Sequence, residues 1–230
     1  MVSVRKAAEA RATRPRRGRA SAPSPPPSPS SSTFVHPTAI VEEGAVVGPG
    51  CKIWHFCHVM AGARIGARAV LGQNVYVGGA AVVGKGCKIA NNVSLYDAVT
   101  LGEDVFVGPS AVFTNVKTPR AFISRRDAYQ PTRVGRGATI GANATIVCGH
   151  TLGAHCLIGA GAVVTRDVPP HVLMLGVPAR PRGWVCLCGV TLAAARRGPR
   201  DRAEVLACPA CANRFVRRGD SVRKVARPAR

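Results

Sequence analysis

The sequence predicts an all-β fold: a solenoid of short parallel strands with one external loop, followed by a small cysteine-rich module. Three observations predict it. An aliphatic residue returns at every sixth position along most of the chain, a small or β-branched residue stands two positions before it, and two close cysteine pairs follow the last repeat. Two apolar positions followed by a turn describe a short strand, so each hexad makes one flat face and three faces close a coil of roughly 18 residues.

The first element, residues 1–33, is predicted to be a disordered extension. It is rich in Arg, Pro and Ser, with a proline-rich run between residues 23 and 29. Such a polar segment buries too little apolar surface to offset the entropy of ordering. It lacks the apolar core of a secretory signal, so we expect no export, and an Arg- and Ser-rich transit peptide stays open.

The net charge of +21, from 32 basic and 11 acidic side chains, sits mainly at the two ends of the chain. Residues 1–33 and 182–230 carry +6 and +9, whereas the 148 residues between them carry only +6. A nucleic-acid surface requires a clustered basic face, so this distribution argues against nucleic acid as a partner of the central domain. No apolar run approaches the roughly 18 residues of a transmembrane helix, and we expect no membrane span.

Residues 34–181 are predicted to form the solenoid. The inward ladder consists of apolar residues six positions apart: Val41, Val47, Ile53, Val59, Ile65, Leu71, Val77, Val83, Ile89, Leu95, Leu101, Val107 and Phe113, then Val134, Ile140, Ile146, Leu152, Ile158 and Val164. Cys51, Cys57, Cys87 and Cys156 occupy the small inward position, where a free thiol packs as a compact hydrophobe. Free thiols fit a reducing compartment, so we expect a cytoplasmic protein.

Polar side chains form two neighbouring rows on the outside of the predicted coils. With 18 residues per coil, His55, Gln73 and Asn91 fall in one row, and Asn74 and Asn92 fall in the next. Amides donate and accept hydrogen bonds, which suits the hydroxyl, acetamido and uracil groups of a ligand. Two interpretations stay open: a substrate patch, or an asparagine ladder that stabilises the turns.

The repeat breaks once, at residues 117–131. Phe113 and Val134 are 21 positions apart, which is not a multiple of six, so a segment must leave the solenoid and return. Loops of this kind often carry function. The basic residues of this loop, Arg125 among them, suit a diphosphate or a carboxylate, and a solvated basic loop is the alternative.

Seven strings occur in a specific order: Lys52-Ile53-Trp54-His55-Phe56, Gly72-Gln73-Asn74-Val75, Asn91-Asn92-Val93-Ser94-Leu95-Tyr96, Asp104-Val105-Phe106-Val107-Gly108-Pro109-Ser110-Ala111-Val112-Phe113-Thr114-Asn115-Val116, Pro119-Arg120-Ala121, Gly141-Ala142-Asn143-Ala144-Thr145-Ile146-Val147-Cys148-Gly149 and Gly176-Val177-Pro178-Ala179-Arg180. Residues 34–190, which contain them, resemble the hexapeptide-repeat sugar-nucleotide N-acetyltransferases that acetylate UDP-2-acetamido-3-amino-2,3-dideoxyglucuronate. The resemblance implies a left-handed parallel β-helix and a homotrimer. It also implies transfer of an acetyl group from acetyl-CoA to the 3-amino group of a UDP-linked amino sugar, for surface polysaccharide synthesis.

The resemblance further implies roles for individual residues. Asn115 would contact and orient the reacting amine, and Arg125 would bind the negative charge of the substrate. The side chains that would contact the nucleotide sugar are Gln73, Asn74, Asn91, Asn92 and Tyr96. Positioning alone supplies much of such a rate enhancement. Many relatives with this fold use histidine as general base, which makes His55 a second catalytic candidate.

By the same analogy the pantetheine of acetyl-CoA runs along the carboxy-terminal coils. The residues that would contact the coenzyme are Gly141, Ala142, Gly159, Ala160 and Arg180. Arg180, at the exit of the solenoid, would reach a phosphate of the coenzyme. Ordinary turn and exit residues are the alternative for all five.

Residues 182–230 are predicted to form a zinc-ribbon-like module with a basic tail. Two cysteine pairs, Cys186 with Cys188 and Cys208 with Cys211, are separated by 19 residues. Four cysteines in two close pairs supply a tetrahedral structural zinc site, and the Cys-Pro-x-Cys turn resembles a zinc-ribbon knuckle. So short a module cannot bury a core alone, and its folding would depend on the metal. Unpaired thiols are the alternative.

Three other functions compete with this one. A different hexapeptide acyltransferase would act on another amino sugar or a small amine. A γ-type carbonic anhydrase shares the solenoid but needs three converging histidines, and His55, His58, His150 and His155 stand at different phases of the hexad. A noncatalytic scaffold or nucleic-acid binder would use the Arg-rich ends, and its binding would fade steeply with salt.

Overall fold

The computed structural model describes residues 32–192, 203–219 and 221–225. The predicted extension, apart from its last two residues, and the end of the basic tail lie outside these ranges. The first twenty strands, in chain order, are β1 (Phe34–Val35), β2 (Ile40–Val41), β3 (Val46–Val47), β4 (Lys52–Ile53), β5 (His58–Val59), β6 (Arg64–Ile65), β7 (Val70–Leu71), β8 (Tyr76–Val77), β9 (Val82–Val83), β10 (Lys88–Ile89), β11 (Ser94–Leu95), β12 (Val99–Leu101), β13 (Phe106–Val107), β14 (Val112–Phe113), β15 (Thr132–Val134), β16 (Thr139–Ile140), β17 (Thr145–Ile146), β18 (Thr151–Leu152), β19 (Leu157–Ile158) and β20 (Val163–Val164).

These strands stack into three parallel sheets that form the faces of a prism. Sheet A contains β1, β4, β7, β10, β13, β16 and β19, sheet B contains β2, β5, β8, β11, β14, β17 and β20, and sheet C contains β3, β6, β9, β12, β15 and β18. Each strand lies beside the strand one coil away, as where Lys52 pairs with Val70 and Ile53 with Leu71. The predicted 18-residue coil is therefore confirmed, since every third strand joins the same sheet.

The ladder predicted from the hexads fills the interior of the prism. From Ile53 to Val164 its members are at most 3% exposed, whereas Val41 and Val47, in the first coil, are half-buried. The inward cysteines are also buried, and the thiols of Cys51, Cys57 and Cys87 donate hydrogen bonds to backbone carbonyls 2.9 to 3.2 Å away. Burial raises the pKa of Cys87 to about 11. These thiols are packing groups and are not nucleophiles at neutral pH.

The predicted excursion leaves the prism after β14 and returns at β15. Val99 pairs with Thr132, 33 residues later, whereas strands in the regular coils pair 18 residues apart. The loop contains a bridge between Arg120 and Ile123 and one 3-10 turn, Arg126–Ala128. Its base is closed by the hydrogen bond from the Gln130 amide to the Asn115 carbonyl, at 2.8 Å. The solenoid thus resumes in register above the loop.

Five more strands complete the described chain: β21 (Val172–Leu175), β22 (Arg180–Trp184), β23 (Glu204–Ala207), β24 (Arg214–Arg218) and β25 (Ser221–Lys224). β21 extends sheet A in parallel and β22 pairs with it antiparallel. The last three strands form an antiparallel sheet, here called the ribbon sheet, with its own small core around Leu206 and Phe215. Trp184 packs against both this core and that of the solenoid. No helix of the described ranges is long and apolar enough to cross a membrane.

Candidate active site and metal centre

The predicted site residues occupy two corners of the prism. The AB corner consists of the turns that join sheet A to sheet B: residues 54–57, 72–75, 90–93, 108–111, 141–144 and 159–162. The BC corner consists of the turns that join sheet B to sheet C: residues 60–63, 78–81, 96–98, 114–131 and 147–150. His55, Gln73, Asn74, Asn91, Asn92, Gly141, Ala142, Gly159 and Ala160 lie at the AB corner, and Tyr96, Asn115 and Arg125 lie at the BC corner. Sheet B separates the two groups within one chain.

His55 stands in an aromatic cluster at the amino-terminal end of the AB corner. The centroid of its ring lies 3.6 Å from that of His36, with the planes tilted by 31°, and 6.1 Å from that of Trp54, with the planes nearly parallel. Burial, and then the nearby charge of His55, lower the pKa of His36. Partly exposed and held between rings, His55 is not next to Asn115 of the same chain.

The asparagines of the AB corner bond along the prism axis. Oδ1 of Asn91 accepts a hydrogen bond from the Gln73 amide at 2.9 Å, and Nδ2 of Asn74 donates to Oδ1 of Asn92 at 3.1 Å. Asn74 and Asn92 have φ of 59° and 61°, in the left-handed region that asparagine tolerates better than most residues. Stabilisation of the turns therefore explains why asparagine occurs at positions 74, 91 and 92 without requiring a ligand. Among the described residues, the side chain of Gln73 has no such bond.

A cavity of about 690 Å³ lies on the outer face of sheet A and reaches the AB corner. Its walls include His55, Gln73 and Asn91 from the predicted set. They also include Lys52, Trp54, Lys88 and Phe106, which the sequence analysis missed. Lys52, Lys88 and Phe106 each stand one position before a ladder residue. Their spacing by multiples of 18 residues was the signal that would have aligned them on sheet A. The volume is within the usual range for small-molecule sites.

The coenzyme candidates lie further along the same corner, towards the carboxy terminus. Gly141 packs so closely on the next coil that a Cβ there would stand 2.4 Å from the nitrogen of Ala160. A Cβ on Gly159 would meet the side chain of Leu175, and Leu175 pairs with Arg180. The five candidates thus form one continuous strip, with Ala142 next to Gly141 in the same turn. Close packing of the coils by itself also explains why glycine occupies positions 141 and 159, with no ligand required.

The BC corner brings together Tyr96, Asn115 and the loop that carries Arg125. Tyr96 is 38% exposed, and its ring lies 6.1 Å from that of Tyr76. Asn115 is partly buried at the base of the loop, and the structure gives its side chain no hydrogen bond to another described residue. Arg125 is exposed, and its carbonyl closes the 3-10 turn by accepting from the Ala128 amide at 2.9 Å. Its guanidinium is therefore available to solvent and to a ligand.

A hydrogen-bonded histidine–glutamate pair on the outer face of sheet B was also missed from the sequence. Nε2 of His58 lies 2.6 Å from Oε1 of Glu42, and Oε2 of Glu42 accepts from the Ala61 amide at 2.9 Å. The amide bond and the imidazole lower the pKa of the Glu42 carboxyl. The ring of Tyr76 packs edge-on against His58. The two residues are 16 positions apart, and nothing in the hexads distinguishes them from other outward pairs.

The four cysteines of the carboxy-terminal module converge as predicted. Their Sγ atoms all lie within 4.8 Å of one another, with 3.5 Å between Cys186 and Cys211 and 3.5 Å between Cys188 and Cys208. A tetrahedral zinc site with Zn–S bonds of about 2.3 Å places its sulfurs about 3.8 Å apart. Nδ2 of Asn213 lies 3.8 Å from the Cys186 sulfur, where it can donate a hydrogen bond to a metal-bound thiolate. The donor set fits a structural zinc ion.

Within the described ranges, this cysteine cluster is the one group of three or more metal-binding side chains that lie close together. The histidines weighed for a carbonic anhydrase do not converge. His150, for example, lies 3.5 Å from the Asp167 carboxylate, with its ring accommodated at a corner of the prism.

Comparison with protein families decides the class. Residues 44–79 and 80–115 each match the bacterial transferase hexapeptide (six repeats) family, and residues 131–166 match the hexapeptide repeat of succinyl-transferase. The chain is 38% identical over 160 residues to dTDP-3-amino-3,6-dideoxy-alpha-D-galactopyranose 3-N-acetyltransferase of Aneurinibacillus thermoaerophilus, which covers 67% of this chain and 80% of that protein. It belongs to the hexapeptide-repeat acetyltransferases. The prism is accordingly a left-handed parallel β-helix, as the resemblance implied.

Three further similar proteins are 25–30% identical to the chain. The galactoside O-acetyltransferase of Escherichia coli is 30% identical over 49% of this chain and 62% of its own length. Among solved structures, a hexapeptide-repeat acetyltransferase of Vibrio cholerae complexed with acetyl coenzyme A is 26% identical, with a TM-score of 0.48, over 54% of this chain and 70% of that one. PerB of Caulobacter crescentus, in complex with CoA and GDP-perosamine, is 25% identical, with a TM-score of 0.42, over 67% of this chain and 58% of that one.

Proposed function

We propose that this hexapeptide-repeat acetyltransferase acetylates the 3-amino group of UDP-2-acetamido-3-amino-2,3-dideoxyglucuronate for surface polysaccharide synthesis in the cytoplasm. The observation that carries the reaction is the 38% identity to an enzyme named for 3-N-acetylation of a nucleotide-linked 3-amino sugar. The assignment of UDP as the nucleotide, and of a glucuronate carboxylate on the sugar, rests on the resemblance of the strings around Asn91 and Asn115. The buried free thiols of the solenoid support a reducing compartment.

The proposed step is attack of a neutral amine on a thioester. The nitrogen lone pair adds to the carbonyl carbon of acetyl-CoA, the C–S bond breaks, and the amine proton goes to the departing thiolate of CoA. Asn115 would hold the amine in position, and no protein base is then required. If His55 does act as a base, it must reach the amine across a subunit boundary, because sheet B separates it from Asn115 in one chain.

Such a boundary would follow from a homotrimer, which we propose as the active form. The AB corner carries the amides, the large cavity and the coenzyme strip, while the BC corner carries Asn115 and Arg125. Neither corner alone holds the whole predicted site. Packing the AB corner of one subunit against the BC corner and loop of its neighbour would join them, and an interface of this kind excludes water from the reacting groups.

The loop supports a substrate with an additional negative charge. Arg125 is exposed immediately before the 3-10 turn and forms no ion pair with another described residue, although Asp127 lies two positions later in the same turn. Arginine binds carboxylates in a bidentate manner. A competing substrate is a dTDP-linked amino sugar without a carboxylate, which the name of the Aneurinibacillus relative favours. Arg125 would then have no anionic sugar group to bind.

We further propose that residues 34–181 form the acyltransferase domain and residues 182–230 a zinc module. The separate core of the ribbon sheet and the convergence of four cysteines support this division. Bound there, zinc would hold the two cysteine turns together and supply no step of acetyl transfer, since the cluster belongs to the module and not to either corner that carries the predicted site.

An acetyl-CoA thiol-release assay tests the proposal. Three acceptors should be compared: UDP-3-amino-glucuronate, its UDP-3-amino-glucose analogue and dTDP-3-amino-3,6-dideoxygalactose. We expect preference for the carboxylated sugar, loss of that preference in Arg125→Ala, and a fall in kcat in Asn115→Ala. Arg133→Ala, an exposed arginine on sheet C, is the matched control. Turnover of the dTDP sugar alone would contradict the substrate assignment, and no thiol release with any of them would move the search to a broader amine panel.

A further inference from the structure

A second cavity lies where the carboxy-terminal module meets the solenoid. It has a volume of about 510 Å³ and is here called the junction cavity. On the solenoid side it is lined by Pro169, Pro170 and His171, and on the other side by the residues of β25, Ser221–Lys224. β25 is an edge strand of the ribbon sheet. The cavity belongs to neither the AB corner nor the BC corner.

The side of the cavity formed by β25 is cationic. Arg223 and Lys224 are both exposed, and Ser221 adds a hydroxyl two residues before Arg223. The described lining of the cavity contains no carboxylate. Guanidinium and ammonium groups beside a hydroxyl donate hydrogen bonds and supply positive charge. This combination is typical of sites for phosphate oxygens.

The solenoid side supplies a fixed polar wall. His171 is only 8% exposed, and its Nδ1 lies 3.0 Å from the carbonyl oxygen of Val185. Because a carbonyl accepts only, Nδ1 carries the hydrogen, and Nε2 has no partner among the described residues. The ring is held between His155, at 5.2 Å, and Phe215, at 5.3 Å. The wall therefore keeps its geometry whether or not a ligand is present.

We propose that the junction cavity binds a phosphate group of a nucleotide. Its volume, two cations and hydroxyl suit a phosphate with part of the attached nucleoside, and the two adjacent prolines restrict the opposite wall. The identity of the nucleotide that carries the phosphate rests on the proposed function, which brings two nucleotides to this protein. These are the adenosine 3′,5′-bisphosphate end of the coenzyme and the diphosphate of the sugar nucleotide.

The site depends on the module being folded. Phe215 in β24 contacts His171, and β24 pairs with β25 along its length, as where Val216 pairs with Arg223. Phe215 belongs to the same small core as Cys186 and Cys208. Zinc at the cysteines would thus keep Arg223 and Lys224 against the end of the solenoid, which gives the module a part in ligand binding.

Calorimetric titration of the full, zinc-loaded chain tests the proposal, with adenosine 3′,5′-bisphosphate and UDP as separate probes. The variant is Arg223→Gln with Lys224→Gln, and the control is Arg214→Gln, an equally exposed arginine of the same sheet that does not line the cavity. We expect the double variant to raise the Kd of at least one probe about tenfold or more, since charge-assisted hydrogen bonds are lost. The control should change neither Kd.

Each outcome has one meaning. A response of adenosine 3′,5′-bisphosphate alone supports the site and assigns it to the coenzyme, whereas a response of UDP alone assigns it to the sugar nucleotide. Both responses together support a site that recognises the shared phosphate. Unchanged Kd values, or no binding of either probe to the wild type at millimolar concentration, overturn the proposal. Acetyl transfer is measured separately, so an inactive chain that still binds a probe through this cavity contradicts only the proposed function. Zinc content and thermal unfolding report whether the double variant is folded.

Discussion

Oδ1 of Asn91 lies 2.9 Å from the backbone nitrogen of Gln73, one coil away along the prism axis. A Cβ on Gly72 would come within 2.4 Å of the same oxygen, so glycine at that position lets the amide approach the turn. Asn91 is thereby engaged with the protein, while the Gln73 side chain beside it faces the large cavity. Two neighbours in one row are thus expected to differ in role.

Asn91→Ala should destabilise the fold, and Gln73→Ala should weaken substrate binding. The first substitution leaves the Gln73 amide without its acceptor and should cost about 1 kcal/mol of unfolding free energy. The second removes no described hydrogen bond, so it should raise KM for the sugar nucleotide at nearly unchanged stability. Urea unfolding and steady-state kinetics measure both. Equal stability of the two variants would show that Asn91 does not support the turn.

Gly141→Ala should destabilise the carboxy-terminal coils. Its Cβ would stand 2.4 Å from the Ala160 nitrogen, and since this atom belongs to the backbone, the coils themselves must shift. Overpacking of this kind costs about 1–3 kcal/mol. The control is Gly183→Ala, where the nearest atom would be 3.8 Å away. Thermal unfolding distinguishes them, and a rise in KM for acetyl-CoA in Gly141→Ala alone would tie the same strip to the coenzyme.

Zinc content should be one ion per chain and should fall in Cys208→Ser. Without the metal the ribbon sheet loses the link between its two cysteine turns, so the module should unfold while the solenoid keeps its strands. Burial raises the pKa of Cys156 to about 12, so the thiols of the solenoid should stay unreactive to a thiol reagent at pH 8. Elemental analysis and thiol counting before and after chelation test this. Release of more than four reactive thiols by a chelator would contradict it.

Mild acid should destabilise the carboxy-terminal end of the solenoid through His155. Burial, the adjacent His171 and Arg136 lower the pKa of the His155 imidazole. The unfolded chain then binds this proton at a higher pH than the folded chain, so stability is complete above about pH 6.5 and declines as pH falls below it. His155→Asn keeps a residue that tolerates the local φ of 57° and removes the titration.

Thermal unfolding between pH 7.5 and pH 5.5 measures the effect. The melting temperature of the wild type should fall more steeply with decreasing pH than that of His155→Asn. The slope should not vanish in the variant, because burial also lowers the pKa of His171. Parallel curves for the two proteins would show that His155 does not contribute.

The interior of the solenoid was predictable because one physical constraint acts at every coil. With the exception of Phe113, the ladder along the axis is aliphatic, so Ile53, Leu71 and Ile89 recur with the period of the chain, and the burial of each one follows. The four-cysteine cluster was predictable for a similar reason, since close sequence pairs restrict the ligand geometry. The interruption of the period likewise located the loop.

The outer surface was less predictable because the hexad leaves outward positions free. His58 and Glu42 pair across one coil without any sequence signal, and Lys52 and Lys88 face the cavity from positions that tolerate many residues. The division of the predicted site between the AB and BC corners could be predicted in part from the sequence. Tyr96 lies five positions after Asn91, nearly the six-residue length of one face, so the hexad spacing already placed these two predicted contacts at opposite edges of sheet B.

β22 forms the carboxy-terminal edge of sheet A. A stack of parallel coils terminates in strand edges that can template further strands and drive end-to-end polymerisation. Here sheet A ends on an antiparallel strand whose second residue, Pro181, has no amide hydrogen to donate, and Trp184 continues from it into the ribbon core. The carboxy-terminal edge of sheet A is therefore a poor template for an added coil, and the protein is protected there against growing into a fibre.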